Sequence, residues 1–139
     1  MVTTEIHQAD PAPTATTRPS WWVFRGVVST HLVAIFGQPV FAGILLSGDY
    51  DGLRMHATGA NLTTSLGYVQ LIVAIVLWVR LRRAWPFAAT LAIVLAETVQ
   101  YFAGMTGVLW LHLPLGVATI AAVVVQFIDV WRRKEPTNG

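Results

Sequence analysis

Two histidines, His56 and His112, each open a long apolar run in a chain with few other groups able to do chemistry. A glycine follows each within about one turn of helix, Gly59 and Gly116. Imidazole is the commonest protein ligand for haem iron. One histidine from each of two antiparallel hairpins is enough to clamp a haem inside a four-helix bundle. The glycines would then remove side-chain bulk where the macrocycle lies against the helices. The same histidines also suit two other roles, as polar residues facing lipid headgroups or as ligands to another metal or pigment.

A second group is His31, Gln38, Glu97 and Gln100. Measured from the tryptophans at the basic end of the apolar runs, His31 lies about 15 Å deep and Glu97 about 18 Å. Gln100 is one turn beyond Glu97, and Gln38, beside Pro39, is one to two turns beyond His31. An ionisable group inside a membrane costs at least about 2–3 kcal/mol unless it is paired. Glu97 therefore needs a partner, and His31 stands at its height. The pair suits a proton relay, a quinone or substrate contact, hydrogen bonding at the edge of a haem, or a plain bond between helices.

These residues must be carried by helices, and the composition supplies them. Of 139 residues, 55% are hydrophobic and 12% charged, where a soluble domain carries about a quarter. A helix crosses the hydrocarbon core with about 20 apolar residues. Four segments qualify: Trp21–Ser47, Met55–Leu81, Trp85–Gly104 and Val108–Trp131. The fold class expected is all-α, an integral membrane up-down four-helix bundle over residues 21–134. A Thr/Pro-rich tail, residues 1–20, is expected to be disordered and cytoplasmic, and residues 135–139 to be flexible. No segment has the basic start and small-residue cleavage site of a signal peptide. With no cysteine, disulfides, thiolate metal sites, Fe–S clusters and c-type haem attachment are excluded.

Sidedness follows from the cations. Arg18, Arg25, Arg80, Arg82, Arg83, Arg132, Arg133 and Lys134 cluster at one end of the spans, and Arg54 alone lies at the other. Trp21, Trp22, Trp78, Trp85 and Trp131 mark the same boundary, as an interfacial aromatic belt does. The rule that positive loops stay inside places both termini in the cytoplasm. Arginine over lysine, with abundant Ala, Val, Leu and Gly, is the composition of a GC-rich bacterial genome, so a bacterial cytoplasmic membrane is the expected location. Short connections make sequential helices antiparallel neighbours, with spans one and three, and two and four, diagonal. His56 and His112 then differ in depth by about 4–5 Å, which helix tilt absorbs. Gly48–Arg54 is expected to be an outer loop, Pro114 to stand in the first turn of span four, and Asp129 to pair with Arg132 or Arg133. Gly37, Gly43 and Gly67 read as close-packing positions.

A faint repeat accompanies this layout. Phe41-Ala42-Gly43 recurs as Phe102-Ala103-Gly104, and Leu66-Gly67 as Leu115-Gly116, each with a histidine between and an inner tryptophan with arginines after it. Two hairpins related in this way would present His56 and His112 symmetrically.

Several stretches resemble a group of small actinobacterial integral membrane proteins of unassigned function. They are His31 to Tyr50 with Gln38-Pro39 and Ser47-Gly48-Asp49-Tyr50, His56-Ala57-Thr58-Gly59-Ala60-Asn61, Glu97 to Gln100, and Leu111-His112-Leu113-Pro114-Leu115-Gly116. The layout is also similar to one four-helix half of the haem A synthase family, whose halves place histidine haem ligands near the outer starts of their second and fourth helices. That resemblance implies His56 and His112 as ligands. In that family a glutamate stands about four residues before the second-helix histidine, where this chain has Gly52, with Asp51 one residue further back. Arginine commonly follows the histidine there and Ala57 does here; the second half and the family's cysteines are missing. The resemblance thus implies a haem fold without haem A synthesis.

The function expected is a membrane b-type cytochrome holding one haem b on His56 and His112, for electron transfer or haem holding. Gly59, Gly116, Gln38, Gln100 and Arg54 are the further residues expected around the cofactor, with His31 and Glu97 as the buried polar pair. A haem-modifying or quinone-linked enzyme, and a cofactor-free scaffold or transporter subunit, are the rival readings. Expected partners are membrane lipid, a quinone or redox protein, and a second copy of the chain; nucleic acid is not among them.

Overall fold

A long apolar run surrounded by lipid has one economical solution, a helix that satisfies its own backbone N–H and C=O groups. The chain adopts it four times. A computed structural model describes residues 19–133, which form α1 (Pro19–Leu46), α2 (Asp51–Leu81), α3 (Ala84–Met105) and α4 (Leu109–Arg132). The expected tails, with Arg18, His7 and Lys134, lie outside the described residues, apart from Pro19 and Ser20, which begin α1. All four helices are long and apolar enough to cross a membrane. Their outer faces carry large apolar side chains such as Val33, Leu62, Ile72 and Val117, whereas His31, Gln70, Thr90, Glu97 and Gln126 are buried. Polar inside and apolar outside suits a body surrounded by hydrocarbon.

Each helix packs against two others, in the ring α1–α2–α3–α4–α1, and the diagonal pairs share no close backbone approach. The ring closes at the arginine end. There the Arg25 side chain, buried in α1, donates from Nε to Val130 O (3.3 Å) and from a terminal nitrogen to Arg133 O (3.1 Å). Its guanidinium also lies over Trp22 and Trp131, 4.8 and 5.1 Å from the ring centroids. A cation on the last carbonyls of α4 complements the negative end of that helix. Beside it Trp21, Phe24, Val28, Ala74, Leu77 and Val130 form a buried cluster whose one polar side-chain atom, the Trp21 indole nitrogen, has no hydrogen-bond partner.

The loop expected at Gly48–Arg54 is shorter than the sequence suggests. Gly48 turns the chain with φ +95°, and the Asp49 carboxylate accepts from the Asp51 N–H at 2.9 Å. An acceptor at the positive start of a helix favours early initiation, so α2 begins at Asp51, four residues ahead of Met55. Arg54 becomes part of α2, exposed and paired with Asp51 at 3.4 Å. Similarly, Pro114 is the sixth residue of α4 rather than part of its first turn.

Gly52 lets the first hairpin close. A Cβ there would meet the Leu45 N, lie 2.9 Å from Leu45 Cα and lie 3.0 Å from Ile44 C, all backbone atoms that cannot swing aside. Gly52→Ala is expected to destabilise the bundle by about 1–3 kcal/mol, as overpacking does, read as a lower melting temperature in detergent. The glycines read as packing positions behave otherwise: Gly43 faces open space, and Gly37 meets only the ring of Phe41 on its own helix. Gly67 does matter, but it seats a side chain, as described below.

The buried faces of α2 and α4 carry a clearer repeat than the one expected. His56/His112, Thr63/Thr119 and Gln70/Gln126 fall at one constant offset, two helical heptads from first pair to last. By that register Gly67 corresponds to Val123, so Leu66-Gly67 and Leu115-Gly116 are not equivalent.

Candidate functional site

The two hairpins bring groups together across the diagonals, in alternating layers. At the top, α2 and α4 bring His56 and His112 to a ring-centroid distance of 5.9 Å, with the rings nearly perpendicular at 82°. His56 Nδ1 lies 3.2 Å from Gln38 O and His112 Nδ1 2.9 Å from Gln100 O. A carbonyl oxygen only accepts, so each Nδ1 carries a proton, and in the neutral ring Nε2 is the nitrogen left with a lone pair. Neither Nε2 has a hydrogen bond among the described residues. Imidazoles that bind metals commonly donate their other N–H to a carbonyl in this way, which fixes the ring. Gly104 shapes the site too, since a Cβ there would lie 2.9 Å from His112 Cε1.

The next layer crosses the other diagonal. His31 of α1 and Glu97 of α3, both buried, meet at 2.7 Å between Nε2 and Oε1. His31 Nδ1 lies 2.9 Å from Gln70 Oε1. Gln70 Nε2 donates to Gln126 Oε1 (2.7 Å) and to Thr90 Oγ1 (3.3 Å), and Gln126 Nε2 donates to Thr90 Oγ1 (2.8 Å). A polar chain thus links all four helices, and nearly every atom in it has a partner, as burial requires. The exception is Glu97 Oε2, which has none. It occupies the place where a Gly67 Cβ would stand.

Gln70, Gln126 and Thr90 were not among the residues singled out from the sequence. The signal was there: each glutamine sits two heptads beyond a histidine, on the same helical face.

Between the two layers lies a cavity of about 50 Å³, lined by Gln38, His56, Thr63, Glu97, Gln100, Tyr101 and His112, with Ile35 and Ile120. The Gln38 and Gln100 amides project into the notches left by Gly59 and Gly116: a Cβ at Gly59 would collide with Gln38 Nε2, and one at Gly116 would lie 2.8 Å from Gln100 Nε2. Neither amide is hydrogen-bonded among the described residues. Of the residues singled out from the sequence, His56, His112, Gln38, Gln100, Gly59, Gly116, His31 and Glu97 therefore converge on one region. Arg54 does not; its side chain is exposed and paired with Asp51. Asp129, expected to pair with Arg132 or Arg133, bonds Arg133 at 2.7 Å.

What this arrangement holds is decided by donor count and space. Two imidazoles on opposite sides of one metal ion, each at about 2.0 Å, set their ring centroids roughly 6 Å apart, which matches the pair here. A bare ion needs four or more ligands, yet among the described residues no group of three or more His, Cys, Asp or Glu is placed to hold one. A porphyrin brings four nitrogens of its own, so two imidazoles suffice. The cavity itself is far smaller than a macrocycle. Its walls at Gln38 and Gln100 are unbonded amides, whose displacement would bare the helix backbone at Gly59 and Gly116. Two imidazoles are the donor set a haem would take, but the space between them does not admit a macrocycle while Gln38 and Gln100 fill the notches at Gly59 and Gly116. Comparison with known proteins finds no family profile, no curated protein and no solved structure that the chain matches.

Proposed function

We propose that the protein is a membrane b-type cytochrome that holds one haem b through His56 and His112, with both termini on the cytoplasmic side of a bacterial membrane. The observation that carries this reading is the histidine pair itself: two rings 5.9 Å apart, each with Nδ1 committed to a carbonyl and Nε2 free. The layout shared with one half of the haem A synthase family belongs to the same proposal. A haem held by two imidazoles supplies one-electron transfer, since no open coordination position is left for oxygen. The chain's part is to fix the imidazoles in the ligating tautomer, to offer flat backbone at Gly59 and Gly116, and to exclude water with the apolar residues around them.

A haem-modifying or quinone-linked enzyme is the second reading, favoured by the unpartnered Glu97 Oε2 on the cavity wall. A quinone or a redox protein is the partner either version would need.

The test is the absorbance spectrum of the detergent-purified full chain. A sharp α-band on reduction, at one haem per chain, is the expected result; colourless protein after expression with ample haem would reject the reading. Orientation is checked separately. Reporters fused after Gly139 and within Gly48–Asp51 should report opposite sides of the membrane, with the C-terminus inside, because the arginine-rich end stays in the cytoplasm.

A further inference from the structure

We infer that the groove between α3 and α4 is a lipid site, taking one acyl chain of an anionic phospholipid from the leaflet at the arginine end. The groove shares no lining residue with the cavity beside His56 and His112. The inference therefore rests on the membrane reading and not on the haem.

Small side chains make the groove. On α3, Ala89, Ala92 and Ala96 recur at helical spacing, and Ala118 and Ala122 do so on α4. These two stripes of alanine line a furrow of about 420 Å³. Ile93, Thr119 and Gln126 line its buried side, none more than 4% exposed. The polar atoms among them already have partners. Thr119 Oγ1 donates to Leu115 O at 2.7 Å, and Gln126 is bonded to Gln70 and Thr90. A furrow whose buried polar groups are satisfied suits hydrocarbon.

Length chooses between a lipid chain and a helix. From Trp85 to Ala96 the α3 wall rises about 16 Å, and from Leu115 to Asp129 the α4 wall rises about 21 Å. One leaflet supplies about 15 Å of the bilayer's roughly 30 Å of hydrocarbon. Past Ala96 the α3 stripe continues with Val99, 51% exposed, and past Leu115 the α4 stripe continues with Leu111. Bulk thus returns near the middle of the membrane. A helix from a second copy would cross both leaflets and meet that bulk. A chain anchored at the arginine end stops short of it.

Charge decides where the lipid head lies and which sign it carries. Trp85 and Asp129 line the groove at the arginine end. Arg133 stands beside both, its guanidinium 4.4 Å from the Trp85 ring centroid and 2.7 Å from the Asp129 carboxylate. Asp129 therefore has its countercharge. Arg83 comes two residues before Trp85 and Arg132 three after Asp129. Both are exposed, and neither has an ion pair among the described residues. Net positive charge at the mouth of an apolar furrow complements a phosphate joined to an acyl chain. The opposite end of the spans has only Arg54, which is paired with Asp51, so a lipid of the other leaflet finds no such match.

The experiment is native mass spectrometry of the full chain in a mild detergent, titrated separately with phosphatidylglycerol and with phosphatidylcholine of the same acyl chains. The native protein should retain one phosphatidylglycerol per chain, with at least about tenfold preference over phosphatidylcholine, as two basic residues at one headgroup allow. Ala92→Phe and Ala122→Phe each fill the furrow from an exposed position. Each should lose retention of the lipid while the helical circular dichroism stays unchanged. Arg83→Gln combined with Arg132→Gln should bring phosphatidylglycerol down to the phosphatidylcholine level. Val33→Phe, on the exposed face of α1, and Arg54→Gln should change neither lipid. Equal retention of the two lipids by the native chain would overturn the inference without recourse to any variant. Binding of phosphatidylglycerol that survives both furrow-filling variants would also overturn it. So would a native dimer that those variants split, because the furrow would then belong to a second copy. A chain that stays in the aqueous phase without detergent would overturn both this inference and the membrane reading.

Discussion

Alanine at His56 or at His112 is expected to weaken haem binding at least about tenfold and to abolish the low-spin spectrum. Loss of hydrogen-bonding partners around a metal ligand already costs about 10–100-fold in affinity, and here a ligand itself is removed. Each histidine is half-buried and held by one backbone carbonyl, so truncation leaves no side-chain network broken. The fold should survive, which separates ligation from stability. Free imidazole added to either variant should restore the spectrum by occupying the space left. His31→Ala provides the contrast: it should lower stability while the low-spin spectrum persists, because both Nδ1 contacts of His56 and His112 are made elsewhere. A full haem complement in both His56→Ala and His112→Ala would end the bis-histidine proposal. The colour of the protein in detergent makes the measurement direct.

Glu97→Leu is expected to carry the largest stability cost, about 3 kcal/mol or more. Breaking a buried pair by removing one partner leaves the other unsatisfied, which costs about 1–3 kcal/mol for a neutral group and about 3–5 kcal/mol for a charged one. His31 is fully buried and its Nε2 has no second partner. The leucine would also have to fit against Gly67, where the Glu97 carboxylate now lies. Glu97→Gln keeps the shape and can donate to His31 Nε2, so its cost should be nearer about 1 kcal/mol. Thermal unfolding of the three proteins in one detergent gives the order native, Glu97→Gln, Glu97→Leu. Equal melting temperatures for all three would show that the bond contributes nothing to the fold.

Some of this was legible before any coordinates. Four spans, their apolar exteriors and their order around the ring follow from hydropathy and loop length, because lipid demands helices and short loops demand antiparallel neighbours. The histidines and Glu97 stood out because polar residues are rare in such a background, and their depths could be counted along the helix at about 1.5 Å per residue. Counting along an axis is what a helical sequence allows.

Rotation about the axis and the choice of partner are different matters, and they belong to the tertiary structure. Depth alone left His31 and Glu97 free to act as a relay, a ligand contact or a bond between helices; packing set them 2.7 Å apart. Nothing in the linear chain says that Gln38 and Gln100 meet the histidines through their backbone carbonyls, since every residue has one and only geometry selects it. Gly43 and Gly67 look alike in sequence, yet one faces open space and the other seats a carboxylate. The start of α2 depended on a single hydrogen bond from Asp51 to Asp49, too local for hydropathy to register. The amino-acid pattern therefore determined that there are four helices long and apolar enough to span a membrane, and which rare polar residues they carry at what height along them. Which of those residues touch was decided by how four helices rotate to bury them, because an unpaired polar group in lipid costs more than any single propensity along the chain can offset.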